Sequence, residues 1–167
     1  MYSGMRIGEI CALKWSDIDL QSGIIRISKT VQRIIDKIGN SKTKIIVGSP
    51  NSRTSEREIP IPNFLVNILN ERRQNENNYI LSGTHKLIEP RTMQNRFKSV
   101  LKKCGIRNVN FHLLRHTYAT VCIENGFDAK TVSELLGHSN VNITLNRYVH
   151  SSLDTKNKYV EKLNFVA

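Results

Sequence analysis

Between Phe111 and Tyr148 the chain carries four side chains suited to handling a phosphate group: His112, Arg115, His138 and Tyr148. His112 and Arg115 are three residues apart, so on a helix they share one face near its N-terminus, where the helix end itself favours an anion. A guanidinium can grip two phosphate oxygens in a fork, and an imidazole can give or take a proton near neutral pH. His138 follows Gly137, where the chain must turn sharply, and Tyr148 offers a hydroxyl able to attack phosphorus. A phenol with a pKa of about 10 needs cationic neighbours or a base before it does so at neutral pH. Singly, each has an ordinary alternative: a chance pair, a histidine satisfying free carbonyls at a helix end, a packed core tyrosine. His116 is expected to point elsewhere, as a packed or capping side chain. Arg6 stands at the start of the first helix, on the unfavourable side of its macrodipole, and is expected to face an anion; a solvated arginine is the alternative.

The elements that must carry these residues follow from periodicity and punctuation. Ile7, Ile10, Cys11 and Trp15 recur at helical spacing just after Arg6. From Gly23 to Pro62 the pattern turns to strands: GIIRISKTVQ alternates Ile25, Ile27 and Val31 with Arg26, Ser28 and Thr30, and TKIIVGSP and REIPIP add two more runs. These predict a small three-stranded antiparallel sheet. With eight basic and two acidic residues between Arg26 and Arg57 it would present a cationic face, a solvated strand face being the alternative. GNSKTK and GSPNSRTS read as exposed turns. Pro62 is expected at the first position of a helix bearing Phe64, Leu65, Ile68 and Leu69, and NYILSG as a short buried run. Pro90 opens another helix, with Met93, Phe97, Val100, Leu101 and Cys104 on its apolar stripe and Gly105 just past its end. Its other face carries Arg91, Arg96, Lys98, Lys102 and Lys103, with no acid between Pro90 and Asn110, and suits a phosphate backbone. Asn110 caps the helix holding His112 and Arg115, which stops at Gly126; Asp128 caps a shorter one ended by Gly137; Asn140 or Asn142 caps the helix reaching Tyr148. The fold class is α+β, mainly helical, over residues 1–150. Residues 151–167 form a polar tail anchored by Tyr159, Val160, Leu163 and Phe165, a candidate docking helix bound in cis or to a neighbouring subunit.

At 167 residues the chain is long enough for one well-packed domain. Twenty-five Lys and Arg against 14 Asp and Glu give a net charge of +11, which favours a polyanionic partner. Nucleic acid is preferred to a membrane, because no apolar run approaches the roughly 20 residues that span a bilayer. No lipidation signal appears at either end. Cys11, Cys104 and Cys122 are odd in number, widely spaced and free of CxxC pairing. They are expected as small buried thiols on helix faces, in a reducing cytoplasm, and the opening MYSGMRIGE has no secretory character.

Taken together, Arg6 within RIGE, His112 and Arg115 within HLLRHT, His138 within LLGHSN and Tyr148 within RY, in that order, resemble the catalytic domain of the tyrosine recombinases, the phage-integrase family. The resemblance runs from MYSGMRIGEICALKWSDIDL to about His150, and LLGHSNVNITLNRY is its most specific stretch. It implies site-specific cleavage and rejoining of double-stranded DNA, in which Tyr148 attacks a phosphodiester to give a 3′-phosphotyrosyl link and a free 5′-hydroxyl. Arg6 and Arg115 would hold the scissile phosphate and stabilise the pentacoordinate state; His112 and His138 would supply hydrogen bonds and proton transfer. No metal or other cofactor is implied, in keeping with the lack of clustered carboxylates. A homo-tetramer on two duplexes is implied for the full-length protein and a monomer for this fragment, DNA-associated in a bacterial cytoplasm.

Two departures qualify the resemblance. Relatives carry a lysine before the last strand of the small sheet, in stretches such as PKTKxSxRxIP, read as general acid to the leaving 5′-oxygen. Here the stretch is PNSRTSEREIP, with Asn51 and Arg53 at the lysine positions. Arg53 can contact DNA but holds its proton too tightly to donate it well. Either another lysine reaches in, Arg53 helps only electrostatically, or this copy is impaired. The family also carries an N-terminal core-binding domain, often with an arm-binding domain before it. Neither is recognisable in these residues, so they are expected to form half of a clamp. Two DNA-binding alternatives follow: a truncated copy that binds without cutting, and a helix-turn-helix regulator built on DAKTVSELLGHSNVNITLNRY. The regulator leaves Arg6, the His112–Arg115 pair and the basic strands unexplained.

Overall fold

A computed structural model describes residues 2–36, 42–50 and 52–148, together with 157, 160 and 161. Asn51, the side chain of Arg53 and the expected anchors Tyr159, Leu163 and Phe165 lie outside the described part. In chain order the elements are α1 (Ile7–Ala12), β1 (Ile18–Asp19), β2 (Ile24–Ile27), β3 (Thr30–Ile35), β4 (Thr43–Gly48), β5 (Arg57–Pro60), α2 (Asn63–Glu71), α3 (Pro90–Lys103), α4 (His112–Glu124), α5 (Ala129–Leu136) and α6 (Val141–Tyr148). The expected α+β class holds. No helix among the described residues is long and apolar enough to cross a membrane.

The three-stranded antiparallel sheet is present, in the order β1-β2-β5, but two of the three expected runs contribute to it differently. GIIRISKTVQ breaks at Ser28 and Lys29, both exposed, into β2 and β3. β3 leaves the sheet and pairs with β4 as a separate hairpin, Thr30 opposite Gly48, while the two-residue β1 takes the vacant edge. Side-chain parity survives the break. Ile25, Ile27 and Val31 are all buried, as their alternation predicted, but they serve different cores. Ile25 and Ile27 join Met5, Leu13, Ile59 and Ile61, whereas Val31 packs with Cys11 and Ala12 on another side of α1. Helix α1 is therefore wedged between two apolar clusters, which fixes the position of Arg6 at its head.

The helices begin and end largely where their punctuation indicated. Pro62 precedes α2 by one residue, in extended conformation, instead of occupying its first turn. Asn110 Oδ1 accepts from the Leu113 N–H at 3.1 Å, Asp128 Oδ1 from Thr131 N–H at 2.9 Å, and Asn140 Oδ1 from Asn142 N–H at 2.8 Å, so Asn140 is the cap before α6. On α3 the apolar stripe is narrower than its sequence suggested. Leu101 is buried and Met93 and Phe97 are half-buried, but Val100 is exposed. Cys104 is exposed as well, contrary to expectation, since α3 ends at Lys103 and Cys104 stands just past its last turn; Cys11 and Cys122 are buried. A third cluster, Ala119, Cys122, Val132 and Leu136, ties α4 to α5, and the ring of Tyr148 packs against it from α6.

Candidate functional site

The site is organised by the C-terminal end of α5, whose last carbonyls no longer have helical partners. Gly137 ends the helix at φ +65°, and the N–H groups of Gly137 and His138 return to Glu134 and Ser133 at 2.9 and 3.0 Å. A Cβ on residue 137 would lie 2.9 Å from Arg57 Nη1 and 3.0 Å from the Thr54 carbonyl oxygen, so crowding and backbone both require glycine. Three guanidiniums then take the exposed carbonyls. Arg57 Nε donates to Leu135 O at 2.7 Å, Arg115 Nη2 to Leu136 O at 2.6 Å, and Arg6 to Leu136 O and Gly137 O at 3.5 and 3.0 Å. Arg6 and Arg115, more than a hundred positions apart in sequence, thus share one carbonyl oxygen. Cations at a helix C-terminus are on the favourable side of its dipole.

Arg115 is 3% exposed, and its other arm donates to Gly4 O at 2.8 Å. Burial, with the Arg6 charge added, pushes it down to about 10, so it stays charged at neutral pH. Arg6 is held from behind by Glu9. The Arg6 N–H and Nη1 both donate to this carboxylate, at 2.7 and 2.9 Å, while 38% of the Arg6 side chain remains exposed. Beside it lies a concavity lined by Thr30, Gln32, Pro50, Ser52 and Ser55.

His138 turns its Nδ1 to Thr144 Oγ1 at 2.9 Å. Burial first, then the charges of Arg115, Arg6, Arg147 and Arg57, push it down to about 4, so it is a neutral imidazole at pH 7. His112 is exposed, one turn ahead of the buried Arg115, and is lowered by burial and by His116, Arg115, Arg147 and Arg6. Its ring stands edge-on to that of His116, with centroids 4.5 Å apart. His116, read from sequence as a packed or capping residue, instead reaches the hydroxyl of Tyr148: Nδ1 and Oη are 2.5 Å apart. The half-buried Tyr148 is raised above its ordinary 10.0 by burial, against the pull of Arg147 and Arg115.

All five sequence-identified residues therefore gather around α5 and α6. Arg57 is one the sequence reading counted only as part of a basic strand face. A signal existed: in REIP, Arg57 shares parity with Ile59, whose side chain is fully buried. An inward-facing arginine needs a partner, and Arg57 finds Glu9, at 3.0 Å from each nitrogen of its fork. Lys98, Lys102 and Lys103 are all exposed on α3, with Arg91 and Arg96.

Comparison with known proteins agrees with this arrangement. The model of the phage integrase family matches residues 1–154. A tyrosine recombinase XerC-like protein of Caldanaerobacter subterraneus subsp. tengcongensis is 36% identical over 97% of this chain and 46% of its own length. Tyrosine recombinase XerA of Thermococcus onnurineus is 31% identical over 85% of the chain and 45% of its own length. The chain thus spans about half the length of the curated relatives it matches. Among solved structures, XerA recombinase superposes with a TM-score of 0.64 at 26% identity, covering 98% of this chain and 54% of that one. The Tn1549 transposon integrase, solved in complex with a circular intermediate DNA, gives a TM-score of 0.75 at 22% identity over 97% of this chain and 55% of that one. The second likeness speaks to the fold, and the first adds sequence kinship to it. With its signature residues assembled on that fold and the family model matched over nearly its whole length, the chain belongs to the phage integrase family, the tyrosine recombinases.

Proposed function

We propose that residues 1–150 are the catalytic domain of a site-specific recombinase that cuts and rejoins double-stranded DNA of mobile elements through Tyr148. The Tyr148 oxygen bonds to phosphorus, the bond from phosphorus to the 5′-oxygen breaks, and the products are a 3′-phosphotyrosyl link and a 5′-hydroxyl. The observation that carries this reading is the meeting of Arg6 and Arg115 on the Leu136 carbonyl. Glu9 and the α5 carbonyls hold these two cations close together, which makes a place suited to a visiting anion, and a helix-turn-helix regulator has no use for it. A phosphodiester between them would also lift part of the arginine repulsion that adds to burial in keeping His138 neutral, making it a stronger hydrogen-bond donor as charge develops on phosphorus. In the full-length protein this domain acts as one of four subunits on two duplexes, DNA-associated in the bacterial cytoplasm.

The test is a nicked duplex carrying the sequence that the full-length protein selects from a random duplex pool. A denaturation-resistant adduct with a 3′-phosphate linkage and a free 5′-hydroxyl is expected. A 5′-linked adduct, or none, would sink the reading.

Lys29 is the proposed source of the leaving-group proton. Of the described lysines before β5, Lys14 lies over the Tyr79 ring, Lys42 and Lys44 meet Asp36 at the far end of the hairpin, and Lys29 immediately precedes Thr30, which lines the concavity at Arg6. Its ion pair with Asp17, at 3.3 Å, is half-exposed and costs little to exchange for DNA. Lys29→Ala is expected to slow cleavage about 100-fold. A substrate with sulfur at the bridging 5′ position, whose leaving thiolate needs no proton, should restore the rate. Equal slowing on both substrates would exclude Lys29 as the acid.

Lys98, Lys102, Lys103 and Arg53 are proposed to contact the DNA backbone. Each lysine changed to alanine should weaken binding alike on all sequences and lower the slope of log affinity against log salt by about one. A change confined to one sequence would instead mark base reading.

A further inference from the structure

We infer that His116 is the proton acceptor for the Tyr148 nucleophile, an inference that rests on the proposed role of Tyr148. The carrying observation is the contact of His116 Nδ1 with Tyr148 Oη at 2.5 Å, the two rings tilted by 48° with centroids 5.9 Å apart. This is the distance from which a base takes a proton. The other two histidines of the site are placed differently. His138 has its Nδ1 engaged by Thr144, and His112 touches His116 with its ring edge.

The surroundings suit the task. Tyr148 is half-buried and its phenol harder to ionise than in water, so at neutral pH fewer than about one molecule in a thousand would hold a free phenolate. An acceptor at the hydroxyl removes that limit. The charged and titratable groups that bear on His116 are Arg115 and His112 on its own helix and Arg147 with Tyr148 on α6. Burial and the two arginines favour its neutral form, the form able to accept. Substrate then strengthens the base. A phosphodiester seated on Arg115 cancels part of the positive charge that opposes protonation of His116, so its basicity rises when there is a phosphate to attack.

The step balances with one proton donor besides His116, the proposed Lys29. The O–H bond of Tyr148 breaks as its proton passes to Nδ1, the freed electron pair forms the bond to phosphorus, and the bond to the 5′-oxygen breaks with its pair leaving on that oxygen, which takes the proton from Lys29. On rejoining, the 5′-hydroxyl attacks as its proton returns to Lys29, the phenolate departs, and His116 gives its proton back to it. Neighbouring in sequence, Arg115 and His116 would serve the two reacting oxygens of one step, the first on the phosphate and the second on the nucleophile.

The test uses the full-length protein and the nicked duplex described above, with single-turnover adduct formation followed from pH 5 to pH 9. For the unaltered protein the rate should fall on the acid side of the profile, where His116, held below the ordinary imidazole range by burial and the two arginines, takes up its own proton, and flatten above it. His116→Asn keeps a hydrogen-bonding group near the position of Nδ1 but cannot accept the proton. It is expected to bind DNA within about twofold of normal, to lose about 100-fold or more in rate, and to gain roughly tenfold per pH unit up to pH 9 as hydroxide takes over. Added imidazole should recover part of the rate. His116→Gln, with the same expectation, guards against a folding defect peculiar to one variant. An unchanged rate, or a lower rate with the unaltered pH profile, would overturn the inference by assigning His116 to packing alone. Tyr148→Phe separates the two layers: an adduct persisting in that variant removes the nucleophile itself, whereas a silent Tyr148→Phe beside a normal His116→Asn removes only the base.

Discussion

Tyr148→Phe is expected to form no covalent adduct with the nicked duplex while folding and binding DNA as before. The substitution removes one oxygen and nothing else. The phenyl ring keeps its packing against the cluster of Ala119, Cys122, Val132 and Leu136, which joins α4 to α5. The hydroxyl's half-buried hydrogen bonds with His116 Nδ1 and with Arg147 are lost, together a net contribution of about 1–2 kcal/mol. Such a loss lowers the unfolding midpoint by a few degrees at most for a domain of this size. DNA affinity should stay within about threefold, since Arg6, Arg115 and the α3 lysines are untouched. Thr144, the other hydroxyl on α6, is fully buried and bound to His138, so it cannot take over. A slow hydrolytic nick at the same phosphate is the most that the remaining residues should support, with water as the nucleophile. Mass mapping of the adduct in the unaltered protein should find the nucleotide on Tyr148, and an adduct on any other residue would contradict the assignment.

Much of this arrangement was legible in the sequence because it depends on local rules. Caps at Asn110, Asp128 and Asn140 and a stop at Gly137 fix helix ends through nearest neighbours, and alternation fixes which strand residues face inward. What failed was partner choice, which depends on contacts distant in sequence. Nothing near Ser28 and Lys29 says that β2 pairs with β5 while β3 pairs with β4. For His116 the sequence argument rested on angular position along its own helix, where His112 and Arg115 defined the expected face. The structure adds α6, which approaches from another side and brings Tyr148 to a face that looked idle. Arg57 was obscured by its company. Among eight basic residues in one segment it looked like one more surface charge, although its parity placed it beside the buried Ile59. Its partner, Glu9, sits in a helix of another element and is itself 2% exposed.

That pair carries the second large effect. Arg57→Ala is expected to destabilise the protein by about 3–5 kcal/mol, the cost typical of removing one partner from a buried ion pair. Glu9 has 1% of its side chain exposed and Arg57 7%, so water cannot replace the lost guanidinium. The Leu135 and Ser55 carbonyls lose their donor as well. Arg57→Lys keeps the charge but not the fork, and should fall between the two in urea unfolding. The pH dependence identifies the carboxylate. Burial alone would raise Glu9, but Arg57, and Arg6 after it, outweigh burial and hold it below the ordinary 4.5. A carboxyl with a lowered folded-state pKa contributes stability above its unfolded value and loses it as pH falls through the folded one. The protein should therefore lose stability as pH drops below about 4.5, and Arg57→Ala should flatten that part of the curve. A curve of unchanged shape would mean that Glu9 is held by Arg6 alone. Because Arg57 also fixes the end of α5, from which Leu136 O and His138 are presented, its loss should slow DNA cleavage more than it weakens DNA binding. The proposed catalytic pocket and the stability of the fold meet at one buried carboxylate.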